Sequence, residues 1–189
     1  MLSALGTRAT LRAAVIGAYV LAVEYARALV MRTPEAVPAL VPALGLGGLA
    51  LVLVAVGFSA QRLGLGASRL PLRTLGGLAL GAVLLLPAAA RAGAVPLLPA
   101  GLAAAAVIVS IGEEIAFRGA LYAALEEVGG APVAILGTTL LWALAHALSH
   151  PPMFLGAVAA AGLLLALWRW ACKDLVAPII GHVIADLAI

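Results

Sequence analysis

Charged residues are scarce in this chain of 189 amino acids: they make up 10% of it, while 65% is hydrophobic and the mean hydropathy is +1.20. Soluble domains are about half apolar and a quarter charged, so this balance excludes an ordinary soluble protein and indicates a membrane protein. The single cysteine, Cys172, excludes an internal disulfide and a cysteine cluster for a metal. Basic runs interleaved with aromatic residues are also missing, so the sequence predicts no nucleic-acid partner.

Long apolar stretches fill most of the chain. A hydrocarbon core of about 30 Å needs about 20 apolar residues per helix, and about six or seven such stretches fit. The sequence therefore predicts an all-α fold, a polytopic bundle with about 6–7 transmembrane helices. The predicted spans are 12–31, 38–58, 74–90, 98–118, 132–148, 153–171 and 175–189.

These spans are expected to form a single membrane domain over 1–189, with less characteristic spans in 1–97 and a helical core in 98–189. Polar or Gly- and Pro-containing loops separate several spans, at 59–73, at 91–99 and at Gly129–Gly130. The first span has a basic start like a signal peptide, but we interpret it as retained because the rest of the chain is polytopic. Gly77 and Gly81 have the spacing that lets membrane helices approach closely.

Lysine and arginine are distributed unequally between alternate loops, which predicts the orientation. An N-terminus inside places eight basic residues on the inner side and three on the outer side. The inner set is Arg8, Arg12, Arg62, Arg69, Arg73, Arg118, Arg169 and Lys173, and the outer set is Arg27, Arg32 and Arg91. The N-terminus is therefore predicted to be cytoplasmic.

A few ionisable side chains interrupt the spans, at a cost of about 2.5–3.5 kcal/mol each at the bilayer centre. They are Glu24, Arg27, Glu113, Glu114, Arg118, His146, His182 and Asp186. Helical spacing predicts that Glu24 can partner Arg27, Glu114 can pair with Arg118, and Asp186 can orient His182. A water between Glu113 and a histidine would have a base and an orienting partner in an apolar environment.

Three motifs follow one another along the core: "EEIAFR" at 113–118, Trp142-x-x-x-His146 and His182-x-x-x-Asp186. Together they resemble the signature of the CPBP family, which groups CAAX prenyl proteases with bacteriocin-processing and immunity proteins of bacteria. The resemblance covers about 105–189. Two positions depart from the family pattern, since Trp142 stands where Phe is more usual and Asp186 where many members have Asn.

The resemblance implies an intramembrane endopeptidase in which Glu113 activates water and His146 helps to hold that water. His182, with the residue at 186, would stabilise the oxyanion, and Glu114 would pair with Arg118 or support the site. An ionised Asp186 would repel an oxyanion, so its direct role there is in question. The replacement of the usual Phe by Trp142 is interpreted as a tolerable change in packing.

The expected setting is the inner membrane of a bacterium, with cleavage of a membrane-associated peptide or protein near the cytoplasmic side. A glutamate-type protease without a cofactor is favoured. Zinc or another divalent metal is the alternative, and Glu113, His146 and His182 would then be its ligands. Two other functions stay open: a non-catalytic membrane binding or immunity protein of the same fold, and a proton-coupled carrier.

Overall fold

The computed structural model describes residues 2–32, 39–66, 68–89 and 98–188, and all regular structure in these ranges is helical. The helices are α1 (Leu2–Met31), α2 (Leu40–Val52), α3 (Ala60–Leu63), α4 (Leu70–Ala89), α5 (Ala100–Glu114), α6 (Tyr122–Ala145), α7 (Pro152–Cys172) and α8 (Val176–Leu187). A 3₁₀ turn, Leu53–Ala55, extends α2, and another, His146–Leu148, extends α6. A π-helical segment, Ile115–Leu121, joins α5 to α6. The prediction of a helical membrane bundle is confirmed.

Every predicted span corresponds to a helix, but the lengths differ. Within the described residues, three stretches are long and apolar enough to cross a membrane: Gly6–Met31, Ala100–Leu148 and Pro152–Cys172. The helix α8 has 12 residues and is about 18 Å long, so it does not reach across a 30 Å core. The loop predicted at 59–73 contains α3 and the first residues of α4. Most of the turn predicted at 91–99 lies outside the described residues.

The predicted end of the fourth span at Gly129–Gly130 is a sharp break inside α6. Gly129 has φ −152° and ψ 23°, and Gly130 has φ 73° and ψ −169°. Such a positive φ is strained for residues with a Cβ atom, so glycine at 130 allows the chain to reverse there. The stretch Ala100–Leu148 therefore contains two antiparallel passes of the bundle.

Glycines allow several helices to pack closely. A Cβ atom on Gly112 of α5 would overlap the backbone oxygen of Gly48 on α2. A Cβ atom on Gly77 would lie 2.6 Å from Cβ of Ile180, and one on Gly81 would lie 3.0 Å from Cβ of Ile184. The close approach predicted from Gly77 and Gly81 therefore occurs, between α4 and α8.

Basic and acidic side chains tie together the loops at one end of the bundle. Arg62 pairs with Glu127, Lys173 lies 3.8 Å from Glu126, and the Leu175 amide donates to the Gly64 carbonyl at 3.0 Å. We call this the Arg-rich end; it comprises 59–73, 126–131 and 173–175. The opposite end, where Arg32 donates to the Leu148 carbonyl, comprises the end of α1, the turn His146–Leu148 and the start of α7.

Two arginines of the predicted inner set do not face lipid headgroups. Arg118 is fully buried, and Arg169 is buried with its Nε donating to the Arg118 carbonyl at 3.1 Å. Both are used in helix packing, so they carry less weight in the orientation prediction than the exposed basic residues of the Arg-rich end.

Candidate active site

A cavity of about 640 Å³ opens between α1, α4, α5, α6, α7 and α8. Its polar lining consists of Glu24, Arg27, Glu113, Trp142, His146, Ser149, His150, His182 and Asp186. Met31 and Phe154 also line it, so the cavity lies toward the end opposite the Arg-rich end. The cavity therefore lies on the side of the bundle away from the start of α1.

Glu113 lines this cavity and is buried, with 3% of its surface exposed. Its Oε1 accepts a hydrogen bond from Nη1 of Arg27 at 3.1 Å, and its Oε2 accepts one from Nε1 of Trp142 at 3.0 Å. A carboxylate has about four lone-pair positions, so two remain for a further donor. Both oxygens are thus oriented while the group can still accept a proton.

His146 faces Glu113 across a short gap. Its Nδ1 lies 2.8 Å from the Trp142 carbonyl oxygen, which can only accept, so Nδ1 carries a hydrogen. In the neutral ring, Nε2 is then an acceptor. Nε2 lies 4.0 Å from Oε2 of Glu113, which is too far for a direct hydrogen bond.

Glu114 is fully buried and serves a different set of partners from Glu113. Its Oε1 accepts from Nη1 of Arg118 at 2.6 Å and lies 2.9 Å from Nδ1 of His182. The predicted pairing of Glu114 with Arg118 is present. In addition, Glu114 orients the His182 ring, a task that the sequence suggested for Asp186.

Asp186 lies on the other side of the His182 ring. Its Oδ2 is 3.4 Å from Nε2 of His182 and accepts a hydrogen bond from the Ser110 hydroxyl at 2.7 Å. Ser110 is fully buried one turn before Glu114. The imidazole of His182 therefore lies between two carboxyl groups, one fully buried and one at the cavity wall.

The packing around Arg118 explains how α5, α6 and α7 bring these side chains together. The guanidinium lies 4.2 Å from the Trp142 ring centre, in a cation–π contact, and its Nη2 donates to the Gly162 carbonyl at 3.3 Å. A Cβ atom on Gly162 would lie 2.6 Å from Cε3 of Trp142. The π-helical segment begins directly after Glu114, and such segments are frequent at functional sites.

Residues 95–188 match the family model described as type II CAAX prenyl endopeptidase Rce1-like. The C-terminal half of this chain belongs to the Rce1-like family. The match confirms the resemblance to CPBP intramembrane proteases, and membership implies endopeptidase activity on a peptide or protein in a membrane setting. Comparison with curated proteins and with solved structures gave no match.

Helix α1 precedes the Rce1-like region, yet it contributes charged side chains to the cavity. The predicted pair is present, since Nη1 of Arg27 donates to Oε1 of Glu24 at 2.8 Å. The contact of Arg27 with Glu113 was not predicted. The sequence did contain one indication of this contact, the arginine within an apolar span. Such a residue faces the bundle interior and pairs with carboxylates there.

The departure at Trp142 from the usual Phe of the family has a chemical consequence. The indole N–H holds Oε2 of Glu113, and a Phe ring has no such donor. The interpretation of Trp142 as a packing change alone was therefore incomplete. Ser110, the partner of Asp186, was also missed, because a serine within an apolar helix is an ordinary observation.

His150 follows the last turn of α6 and also lines the cavity. Its ring centre lies 5.2 Å from that of His146, and its Nδ1 is 2.9 Å from the Ser149 hydroxyl. Burial, and then the nearby His146, lower the pKa of His150 below its usual range, so this imidazole is neutral at pH 7.

The side chains do not form the zinc ligand set considered above. In the ranges that the structure describes, no three His, Cys, Asp or Glu side chains are grouped to hold a metal ion. Nδ1 of His182 faces Glu114 and its Nε2 faces Asp186, so neither nitrogen is shared with Glu113.

Proposed function

We propose that this protein is a glutamate-type intramembrane endopeptidase that hydrolyses a peptide bond of a membrane-associated peptide or protein. Membership of the Rce1-like family supports the reaction class. The observation that carries the mechanism is the 4.0 Å gap between Oε2 of Glu113 and Nε2 of His146. A polar contact of this length is suited to one bridging water.

The two groups beside this gap are both acceptors. A water between them donates one hydrogen to Glu113 and the other to Nε2 of the neutral His146 ring. Its oxygen lone pairs then point away from both groups, toward the cavity where a substrate carbonyl would lie. Glu113 acts as the general base and His146 orients the nucleophile.

His182 is proposed as the oxyanion donor. With hydrogen on both nitrogens, Nδ1 donates to Glu114, and Nε2 is directed into the cavity beside Asp186. Glu114 and Asp186 together balance the charges of this imidazolium and of Arg118. Asp186 holds the ring and does not contact the oxyanion, because two negative groups in a dry site repel each other.

The reaction then proceeds in two proton-balanced steps. The water oxygen bonds to the carbonyl carbon, its proton passes to Glu113, and the carbonyl oxygen becomes the oxyanion facing His182. The intermediate collapses by breaking the carbon–nitrogen bond, and the proton on Glu113 passes to the leaving amine. A carboxylic acid product and an amine product leave, and the Glu113 carboxylate is restored.

The test is cleavage of a quenched fluorescent peptide library by the full chain in lipid vesicles. Half of the peptides carry an S-farnesylated cysteine near the C-terminus, because the matched family is described as prenyl endopeptidases. Mass spectrometry of the products locates the cleaved bond. Glu113→Gln and His146→Ala should each abolish cleavage while the protein keeps its melting temperature within a few degrees.

Cleavage that persists fully in Glu113→Gln would refute the catalytic role. If both motif variants also retain the biological effect of the chain, the non-catalytic binding function replaces the enzyme. Proton flux into vesicles that disappears in Glu113→Gln would instead support the carrier.

A further inference from the structure

The guanidinium of Arg27 reaches from α1 into the centre of the site. We propose that Arg27 is a positioning residue for Glu113. Helix α1, which lies outside the Rce1-like match, would then contribute directly to the active site. This inference rests on the proposed function, because it assumes that Glu113 activates the water.

Arg27 fixes which oxygen of Glu113 faces the water. Its Nη1 binds Oε1 of Glu113 at 3.1 Å, which leaves Oε2 turned toward Trp142 and His146. Without this contact the carboxylate can rotate about its last bond, whose torsional wells are broad. Misplacement of the base by about 1 Å is enough to lower a rate substantially.

Arg27 is also the cation that accompanies Glu113 in the membrane. Arg118, the other buried guanidinium of the site, bonds to Glu114. Among the ion pairs of the described residues, the Arg or Lys partner of Glu113 is Arg27 alone. Oε1 of Glu24 also binds Nη1 of Arg27, at 2.8 Å, and so holds the guanidinium in place.

The stem of the Arg27 side chain occupies space that Gly47 leaves free on α2. Gly47 on α2 lies against its stem, and a Cβ atom there would be 2.6 Å from Cγ of Arg27 and would overlap its Cδ. Gly45, two residues earlier on the same helix, has nothing within 4 Å of such an atom. A methyl group at 47 therefore displaces the arginine, whereas a methyl group at 45 does not.

The first experiment replaces the arginine in the full chain in vesicles, with the best peptide of the library as probe. Arg27→Gln should lower kcat about 10- to 100-fold, the effect of losing a hydrogen bond to a charged group, with KM unchanged. Arg27→Lys should recover part of the loss, and guanidinium ion should partly restore Arg27→Gly. Arg12→Gln is the control, because Arg12 lies on the same helix over Phe58 and does not line the cavity.

The second experiment displaces the arginine without removing it. Gly47→Ala should lower kcat at least fivefold relative to Gly45→Ala, although both changes add the same methyl group to α2. The comparison of Gly47→Ala with Gly45→Ala tests the positioning role of Arg27 even if Arg27→Gln does not fold. Equal kcat values in Gly47→Ala and Gly45→Ala would overturn the inference.

The outcomes separate this inference from the proposed function. Wild-type kcat in Arg27→Gln together with an inactive Glu113→Gln overturns only the positioning role of Arg27. An active Glu113→Gln overturns the proposed function, and the positioning role falls with it. The positioning role of Arg27 is established if Arg27→Gln and Gly47→Ala both lose kcat while Arg12→Gln and Gly45→Ala stay fully active.

Discussion

Replacing Trp142 by Phe removes one hydrogen bond from Glu113 and keeps an aromatic ring in place. The indole Nε1 donates to Oε2 of Glu113 at 3.0 Å in a buried site. A hydrogen bond to a charged group contributes about 1.5–3 kcal/mol, and a tenfold rate change corresponds to about 1.4 kcal/mol. Trp142→Phe should therefore lower kcat about 10- to 100-fold if the bond orients the base in the transition state.

The expected effect is on chemistry more than on binding or folding. A Phe ring keeps much of the contact with His146 and Arg118, so the loss of packing should cost about 1–2 kcal/mol of stability. The assay is steady-state cleavage of the best library peptide, with a thermal melt of each protein. Trp170→Phe is the matched control, since Trp170 is 46% exposed and lies outside the cavity. A kcat within twofold of wild type in Trp142→Phe would refute the orienting role of the indole.

Glu114→Gln should destabilise the protein by about 3–5 kcal/mol, because it leaves buried Arg118 without its carboxylate partner and His182 with Asp186 alone. A thermal melt measures this loss, and an unchanged melting temperature would contradict it. Chelators should leave the cleavage rate of the purified protein unchanged, and a loss restored by added zinc would support the metalloprotease alternative. A reporter fused within 59–73 should be cytoplasmic and one fused at 149–151 should not, and the reverse pattern would refute the predicted orientation.

Local contacts of the site could be predicted from sequence, because helix geometry determines them. The i,i+4 spacing of Glu114 and Arg118 gives a 2.6 Å contact, and that of His182 and Asp186 gives a 3.4 Å contact. The order of the three motifs indicated that their helices meet at one cavity. These predictions required only that the segments be helical and that buried charges face inward.

Contacts between distant helices could not be predicted in the same way. Arg27 and Glu113 are 86 residues apart, and their contact depends on how α1 packs against α2, α6 and the π-helical segment. The donor from Trp142 depends on a side-chain rotamer that the motif spacing does not specify. The break at Gly129–Gly130 was visible in the sequence, whereas the π-helical segment after Glu114 carries no comparable signal.

The position of the cavity along the bundle restricts how a substrate reaches it. The Arg-rich end is predicted to be cytoplasmic, because basic residues such as Arg62 and Lys173 gather there. Met31 and His150, at the other end, line the cavity. With this orientation, we expect a peptide to enter from the non-cytoplasmic face or sideways from that half of the bilayer. The substrates expected are therefore exported or membrane-anchored chains, and a cytoplasmic peptide would reach Glu113 only if the orientation is reversed.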